Sequence, residues 1–142
     1  MISDTRKDRP TPLAAKQTRI VDELQEFLRE AHPDTKNVSE EVARILEFVH
    51  QHIFDPDMNV GHVKTNCGIR NNNISTRFRA ATGLTIREYI EHLRLRAARR
   101  LLNGPKTEIY LIALAVGYHH LETFYRAFRR VFGCTPLEYR DM

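Results

Sequence analysis

The sequence predicts an all-α fold in which one helix–turn–helix unit occurs twice. A long linker helix joins the two copies, and an extra helix precedes them. Apolar residues recur at helical spacing along most of the chain, and no segment alternates as a strand would. The repeat itself is carried by Val60, Val63, Cys67, Gly68, Ile74, Phe78 and Gly83, followed by Ile109, Ile112, Val116, Gly117, Phe124, Phe128 and Gly133. A repeat of this size indicates one structural unit used twice.

Two helices are predicted ahead of the repeat. Residues 13–31 form an amphipathic pattern that ends at His32-Pro33. Its predicted apolar face comprises Leu13, Gln17, Ile20, Val21, Leu24 and Leu28. The second helix begins near Ser39, whose hydroxyl can cap it. Its predicted buried face comprises Val42, Ile45, Leu46, Val49 and Ile53.

Each copy of the repeat predicts a short helix, a turn at a glycine and a second helix. The first helix–turn–helix covers about 59–81 and the second about 107–131, with turns at Gly68 and Gly117. Each second helix ends at a glycine, and Thr85 and Thr135 can cap the helices that follow. We therefore predict two segments: an N-terminal extension, residues 1–38, and a repeat-containing domain, residues 39–142.

The linker helix is predicted to cover 86–102. Its apolar positions are Ile86, Ile90, Leu93, Ala97 and Leu101, with Tyr89, Ala98 and Leu102 widening the stripe. Its other face is predicted to be exposed and to carry Arg87, Arg94, Arg96, Arg99 and Arg100. Asn103-Gly104-Pro105 ends the helix.

Positive charge is concentrated in the middle of the chain. The whole sequence has 22 Lys and Arg against 18 Asp and Glu, a net charge of +4. Residues 1–63 have 8 basic and 12 acidic residues, residues 64–106 have 10 and 2, and residues 107–142 have 4 and 4. A local excess of this size predicts a polyanionic partner, with nucleic acid first. Because the sequence has no long apolar run and no secretory leader, we expect a cytoplasmic protein without a membrane partner.

The second helix of a helix–turn–helix enters the major groove of DNA, so its exposed residues are the predicted base-reading residues. Those of the first copy are Asn71, Asn72, Ser75, Thr76 and Arg79, with Arg77 placed to reach a phosphate. Those of the second copy are Leu121, Glu122, Tyr125, Arg126 and Arg129, with His120 as a further DNA-binding residue at the start of the helix. Asn pairs with adenine, Arg with guanine, and Glu accepts from cytosine. We predict double-stranded DNA as the partner.

Two stretches resemble the AraC/XylS-type transcription regulators, which are bacterial. The segment 86–102 is similar to the linker helix of that family. The second copy, through Gly117-Tyr118, Phe124, Phe128, Gly133 and Pro136, is similar to the family signature. The resemblance covers roughly 39–142. It implies two homeodomain-like three-helix units that place recognition helices in successive major grooves, an activator function, and RNA polymerase as a partner.

Other functions find less support in the sequence. No nucleophile–base order or glycine-rich phosphate loop is present, so an enzyme is not expected. His50 and His52 cannot share a helix face, and His119 and His120 are predicted to be capping residues or phosphate neighbours, so no metal or cofactor is expected. The alternative is a helical protein-interaction module in which DNA binding is weak or lost. In either case helix 13–31 is a candidate surface for a homodimer.

Overall fold

The computed structural model describes residues 12–70 and 73–142, which form helices and connecting turns without a strand in those ranges. The helices are α1 (Pro12–Glu30), α2 (Glu40–His52), α3 (Val60–Asn66), α4 (Asn73–Thr82), α5 (Ile86–Asn103), α6 (Ile109–Ala115), α7 (Leu121–Phe132) and α8 (Pro136–Arg140). The predicted all-α fold is therefore confirmed. None of these helices is long and apolar enough to span a membrane.

The helix boundaries follow local capping chemistry. The Ser39 hydroxyl accepts a hydrogen bond from the Val42 amide at 3.2 Å, as predicted for the start of α2. Thr85 and Thr135 each form a reciprocal capping box, with Glu88 and Glu138 respectively. These contacts satisfy amide groups that a helix start otherwise leaves without partners.

The two repeat turns have the same left-handed backbone. Gly68 has φ of 67° and Gly117 has φ of 107°. L-residues with a Cβ rarely adopt this conformation, so both turns favour glycine. The turn joins α3 to α4 in the first unit and α6 to α7 in the second, and the second helix of each unit has fully buried phenylalanines, Phe78 in α4 and Phe124 and Phe128 in α7.

The linker helix α5 is the centre of the fold. It packs against α1, α4, α6, α7 and α8. The predicted apolar stripe is buried except for Tyr89, which is partly buried, and Leu95, which is outside the predicted stripe, is buried too. A helix that is covered on most sides has a wider buried face than an amphipathic surface helix.

Helix α1 packs on α5 through Ile20, Leu24 and Phe27, all of which are buried. The prediction for α1 was partly wrong, because Phe27 is buried whereas Val21 is 50% exposed. The side chain of Leu13 lies outside the described part of the chain. The apolar face predicted to pair with a second subunit is therefore occupied by α5 of the same chain.

Candidate nucleic-acid interface

Helix α4 presents a polar face away from the core. Ile74 and Phe78 are fully buried, and Ser75, Thr76 and Arg79 are exposed on the opposite side. This alternation follows from the helical period of 3.6 residues, which separates the two sets around the helix axis. The predicted residues Asn71 and Asn72 lie outside the described residues, just before the start of α4.

Arg77 lies on a flank of α4 rather than on this polar face. Its Nη1 atom is 3.4 Å from Oε2 of Glu41 on α2. The equivalent residue of the second unit is Ala127, which is buried. A phosphate contact by Arg77 would therefore have to compete with Glu41.

Helix α7 presents the matching face in the second unit. Phe124 and Phe128 are fully buried, and Glu122, Arg126 and Arg129 are exposed. Leu121 is exposed as well, and Tyr125 is half-buried with its ring edge-on to Phe124. A shallow open concavity is lined by Leu121, Glu122, Tyr125 and Arg126.

Arg126 is available to a ligand. Its Nη2 atom is 3.5 Å from Oε2 of Glu122, and the two side chains are 76% and 87% exposed. Such an exposed pair contributes little to stability, so a stronger partner can replace it. His120 caps α7 by position, but its exposed side chain makes no capping hydrogen bond.

The exposed faces of α4 and α7 are in the same register. Ser75 corresponds to Tyr125, Thr76 to Arg126 and Arg79 to Arg129, each pair 50 positions apart. The chemistry differs, because α4 presents small hydroxyls where α7 presents an aromatic ring and a guanidinium. Two helices of equal placement and different side chains can recognise two different base sequences.

The predicted exposure of the linker arginines is wrong for Arg94. This side chain is only 9% exposed, and it donates hydrogen bonds to the carbonyl oxygens of Ile53 and Asp55. Burial lowers the pKa of its guanidinium. It cannot contact a phosphate without leaving these partners.

Three other linker arginines also have intramolecular partners. Arg100 binds Glu23 and Glu30 of α1 at 3.0 and 2.6 Å. Arg96 lies over the ring of Phe27, and Arg99 lies over the ring of Phe132, which leaves the edges of both guanidinium groups accessible. Arg87 is exposed, lines the cleft between the two units, and has no carboxylate within ion-pair distance among the described residues.

The acidic N-terminal region therefore folds back on the basic middle region. Glu23 and Glu30 contact Arg100, and Glu41 contacts Arg77. The linker therefore offers a smaller positive surface than its sequence predicts, and that surface consists of Arg87, Arg96 and Arg99. A count of charges along the sequence cannot detect these ion pairs, because the two partners of each pair lie far apart in the chain.

Two of the histidines weighed as possible ligands, His50 and His119, have polar partners within the protein. The Nε2 atom of His50 is 2.8 Å from the hydroxyl of Tyr89. Burial lowers the pKa of His50 to about 4 and raises the pKa of Tyr89 to about 12, so both groups are neutral around pH 7. This pair holds α2 against α5, and His119 binds Asp57 at 3.0 Å.

Comparison with known proteins agrees with this geometry. Residues 64–142 match the sequence model of a family described as a helix-turn-helix domain. The regulatory protein SoxS of Salmonella typhimurium is 34% identical over 99 residues, which cover 70% of this chain and 92% of SoxS. The xylose operon regulatory protein of Escherichia coli K12 is 32% identical over 101 residues, which cover 71% of this chain but only 26% of that protein.

Solved structures share the fold. The DNA-binding domain of AdpA, crystallised in complex with a target DNA, superposes with a TM-score of 0.65 at 22% identity, covering 72% of this chain and 92% of that one. A probable AraC family transcriptional regulator from Rhodopseudomonas palustris superposes with a TM-score of 0.60 at 25% identity, covering 72% and 96%. The described helices thus form a two-unit arrangement that other proteins share.

Proposed function

Because this chain belongs to the AraC/XylS family of DNA-binding transcription regulators, which are not enzymes, we propose that it binds one face of duplex DNA through both units. Helices α4 and α7 enter successive major grooves. The observation that carries this proposal is the shared register of their exposed faces. A single recognition helix would need only one such face.

The base-reading residues are assigned by position and chemistry. In the first unit Ser75, Thr76 and Arg79 face the groove, with Asn71 and Asn72 preceding them in the sequence. In the second unit the reading residues are Leu121, Glu122, Tyr125 and Arg126, with Arg129 and His120 beside them. Arg126 suits guanine or a phosphate, and Leu121 suits a thymine methyl group. Arg77 contacts a phosphate only when it leaves Glu41.

The DNA-binding unit is proposed to begin at α1 rather than at residue 39. The buried residues of α1 join the same core as α5, and Arg100 binds two carboxylates of α1. The alternative, a protein-interaction or dimerisation module built on α1, is disfavoured because α5 already occupies the apolar face of that helix.

The decisive experiment selects bound sites from a random duplex library and then measures affinity for the recovered site. We expect a bipartite motif with half-sites about one helical turn apart, roughly 34 Å. Arg126→Ala should weaken binding by about 1–3 kcal/mol and relax the preference at one base position. One short recovered site, or an unchanged affinity of Arg126→Ala, would contradict groove reading by both units.

Arg130→Ala is the matched control on the same helix. Arg130 lies on the flank of α7, where Glu91 binds it at 2.6 Å. Its loss removes one positive charge without removing a proposed base contact. We expect the base preferences of this variant to equal those of the wild type.

We further propose that the protein activates transcription by contact with RNA polymerase. The support is the family membership and the similarity to SoxS over most of its length. The test is transcription in vitro by purified bacterial RNA polymerase, from a template carrying the selected site upstream of a weak promoter. A rise in transcript that depends on the site is expected, and a fall would identify a repressor.

A further inference from the structure

The two units meet directly at Arg94. Its Nε donates to the Ile53 carbonyl at 2.8 Å, and its Nη2 donates to the carbonyls of Asp55 and Met58 at 2.9 and 3.4 Å. These three carbonyls belong to the loop that ends α2 and leads into the first helix–turn–helix. A guanidinium suits this arrangement because its donors lie in a fixed plane.

The turn of the second unit lies close to the same guanidinium. A Cβ added at Gly117 would lie 2.8 Å from Nε of Arg94, so the backbone of this turn is in close contact with it. The Tyr118 ring lies beside it, with its centre 5.9 Å from Cζ of Arg94. Glycine is therefore required at position 117 for two reasons: its φ is positive, and a side chain there would collide with Arg94.

A second contact crosses the same boundary at the surface. Nε2 of His119 is 3.0 Å from Oδ1 of Asp57. We define the interunit seam as Arg94, the loop 53–58 and the turn 117–119. Next to it the units are separated by the cleft that Asn59, Gly61, Arg87 and Thr123 line, so the seam is a localised contact.

We propose that the interunit seam sets the orientation of α7 relative to α4, and that Arg94 is thus a positioning residue for the spacing between half-sites. The proposal rests on the proposed function for its consequence on DNA. One base pair changes the separation of half-sites by about 3.4 Å and their relative rotation by roughly 35°. Two recognition helices can distinguish such spacings only if their relative orientation is fixed.

The seam can be tested without DNA by measuring distances between spin labels on the two units. Labels are attached at Ala80→Cys and Leu137→Cys, both exposed positions. The native cysteines are replaced by the residues at the equivalent positions of the other copy, as Cys67→Val and Cys134→Leu. We expect Arg94→Lys to broaden or shift the distance distribution, because an ammonium group cannot donate to all three carbonyls in the same plane.

Arg100→Ala is the matched control, since it removes an arginine from the same helix without touching the seam. Its distance distribution should equal that of the wild type.

Asp57→Ala is the surface variant of the seam, used with Arg94→Lys so that the test does not depend on the folding of a core variant. We expect Asp57→Ala to change the distance distribution in the same way as Arg94→Lys, by a smaller amount.

The consequence on DNA is measured with unlabelled protein on the selected duplex and on versions with one base pair inserted or deleted between half-sites. For the wild type and Arg100→Ala, the change of spacing should weaken binding on the order of 10-fold or more, the value of one lost base contact. For Arg94→Lys this penalty should shrink below about 5-fold, the lower end of one lost base contact, because α7 can then follow the displaced half-site. For Asp57→Ala the penalty should shrink by less. A purely structural role for Arg94 would weaken binding to every duplex equally.

The outcomes separate the two proposals. If a folded Arg94→Lys protein and Asp57→Ala keep both the wild-type distance distribution and the wild-type spacing penalty, the seam inference is overturned. If the wild type selects no bipartite site, the proposed function fails, and the label distances still decide whether the seam orients the units.

Discussion

Replacing Phe27 with alanine tests whether α1 belongs to the folded DNA-binding unit. Phe27 is the largest buried side chain of α1, only 6% exposed, and packs in the core that α5 centres. Phe→Ala at such a position costs about 3–5 kcal/mol. The guanidinium of Arg96, 5.7 Å from the ring centre, adds about 0.5–1 kcal/mol to that contact.

That magnitude is a large part of the stability of a small domain, which is about 5–15 kcal/mol. The free energy of unfolding is measured by urea denaturation followed by circular dichroism. The matched control is Val21→Ala on the same helix, where the side chain is 50% exposed and the loss should stay below about 1 kcal/mol. If α1 is an appendage, Phe27→Ala merely undocks it.

The refuting result follows from that difference. A loss below about 1 kcal/mol for Phe27→Ala, equal to the loss for Val21→Ala, would show that α1 contributes little to the folded unit. A separate transition for α1 at low urea would show the same. Either result would support the predicted domain boundary between residues 38 and 39.

Two further predictions concern salt and pH. Arg87→Ala should reduce the slope of log affinity against log salt concentration by about 0.9. Arg100→Ala should leave that slope unchanged, because Glu23 and Glu30 already bind Arg100. Fluorescence anisotropy on the selected duplex measures both slopes, and equal slopes for the two variants would contradict a phosphate contact by Arg87 alone. Lowering the pH from about 6.5 to about 4 should destabilise the protein through His50, because burial lowers its folded pKa to about 4 while the unfolded chain takes up a proton near 6.5. His50→Gln should flatten the pH dependence of unfolding in this window and His52→Gln should not; a His50→Gln profile like that of the wild type would refute the reasoning.

The helices and their caps were predictable because their signals are local. Thr85 and Thr135 form their capping boxes with the glutamates three residues ahead, and the buried positions of α2 follow a simple helical period. Such patterns need no knowledge of the rest of the chain. The exposed faces of α4 and α7 were predictable for the same reason.

The contacts that decide which arginines remain accessible were not predictable in this way. Arg94 lies four residues after Ile90 and three before Ala97, a spacing that places it beside the buried stripe, but its acceptors are backbone carbonyls about forty positions earlier in the chain. Backbone acceptors leave no mark in a sequence. The burial of Phe27 instead of Val21 depends on the direction from which α5 meets α1, which the periodicity of α1 alone leaves open.

The position of α5 limits how this protein can be engineered. Its side chains are buried at nine positions between Ile86 and Leu102, and helices on both sides of the repeat pack against it. A cut within or beside α5 would therefore leave each half with an uncovered apolar helix face. The exposed surfaces of α4 and α7 can be exchanged for those of a relative, because their outer residues contribute little to the core. The exposed faces of α4 and α7 can thus be redesigned, whereas the core around α5 cannot be divided.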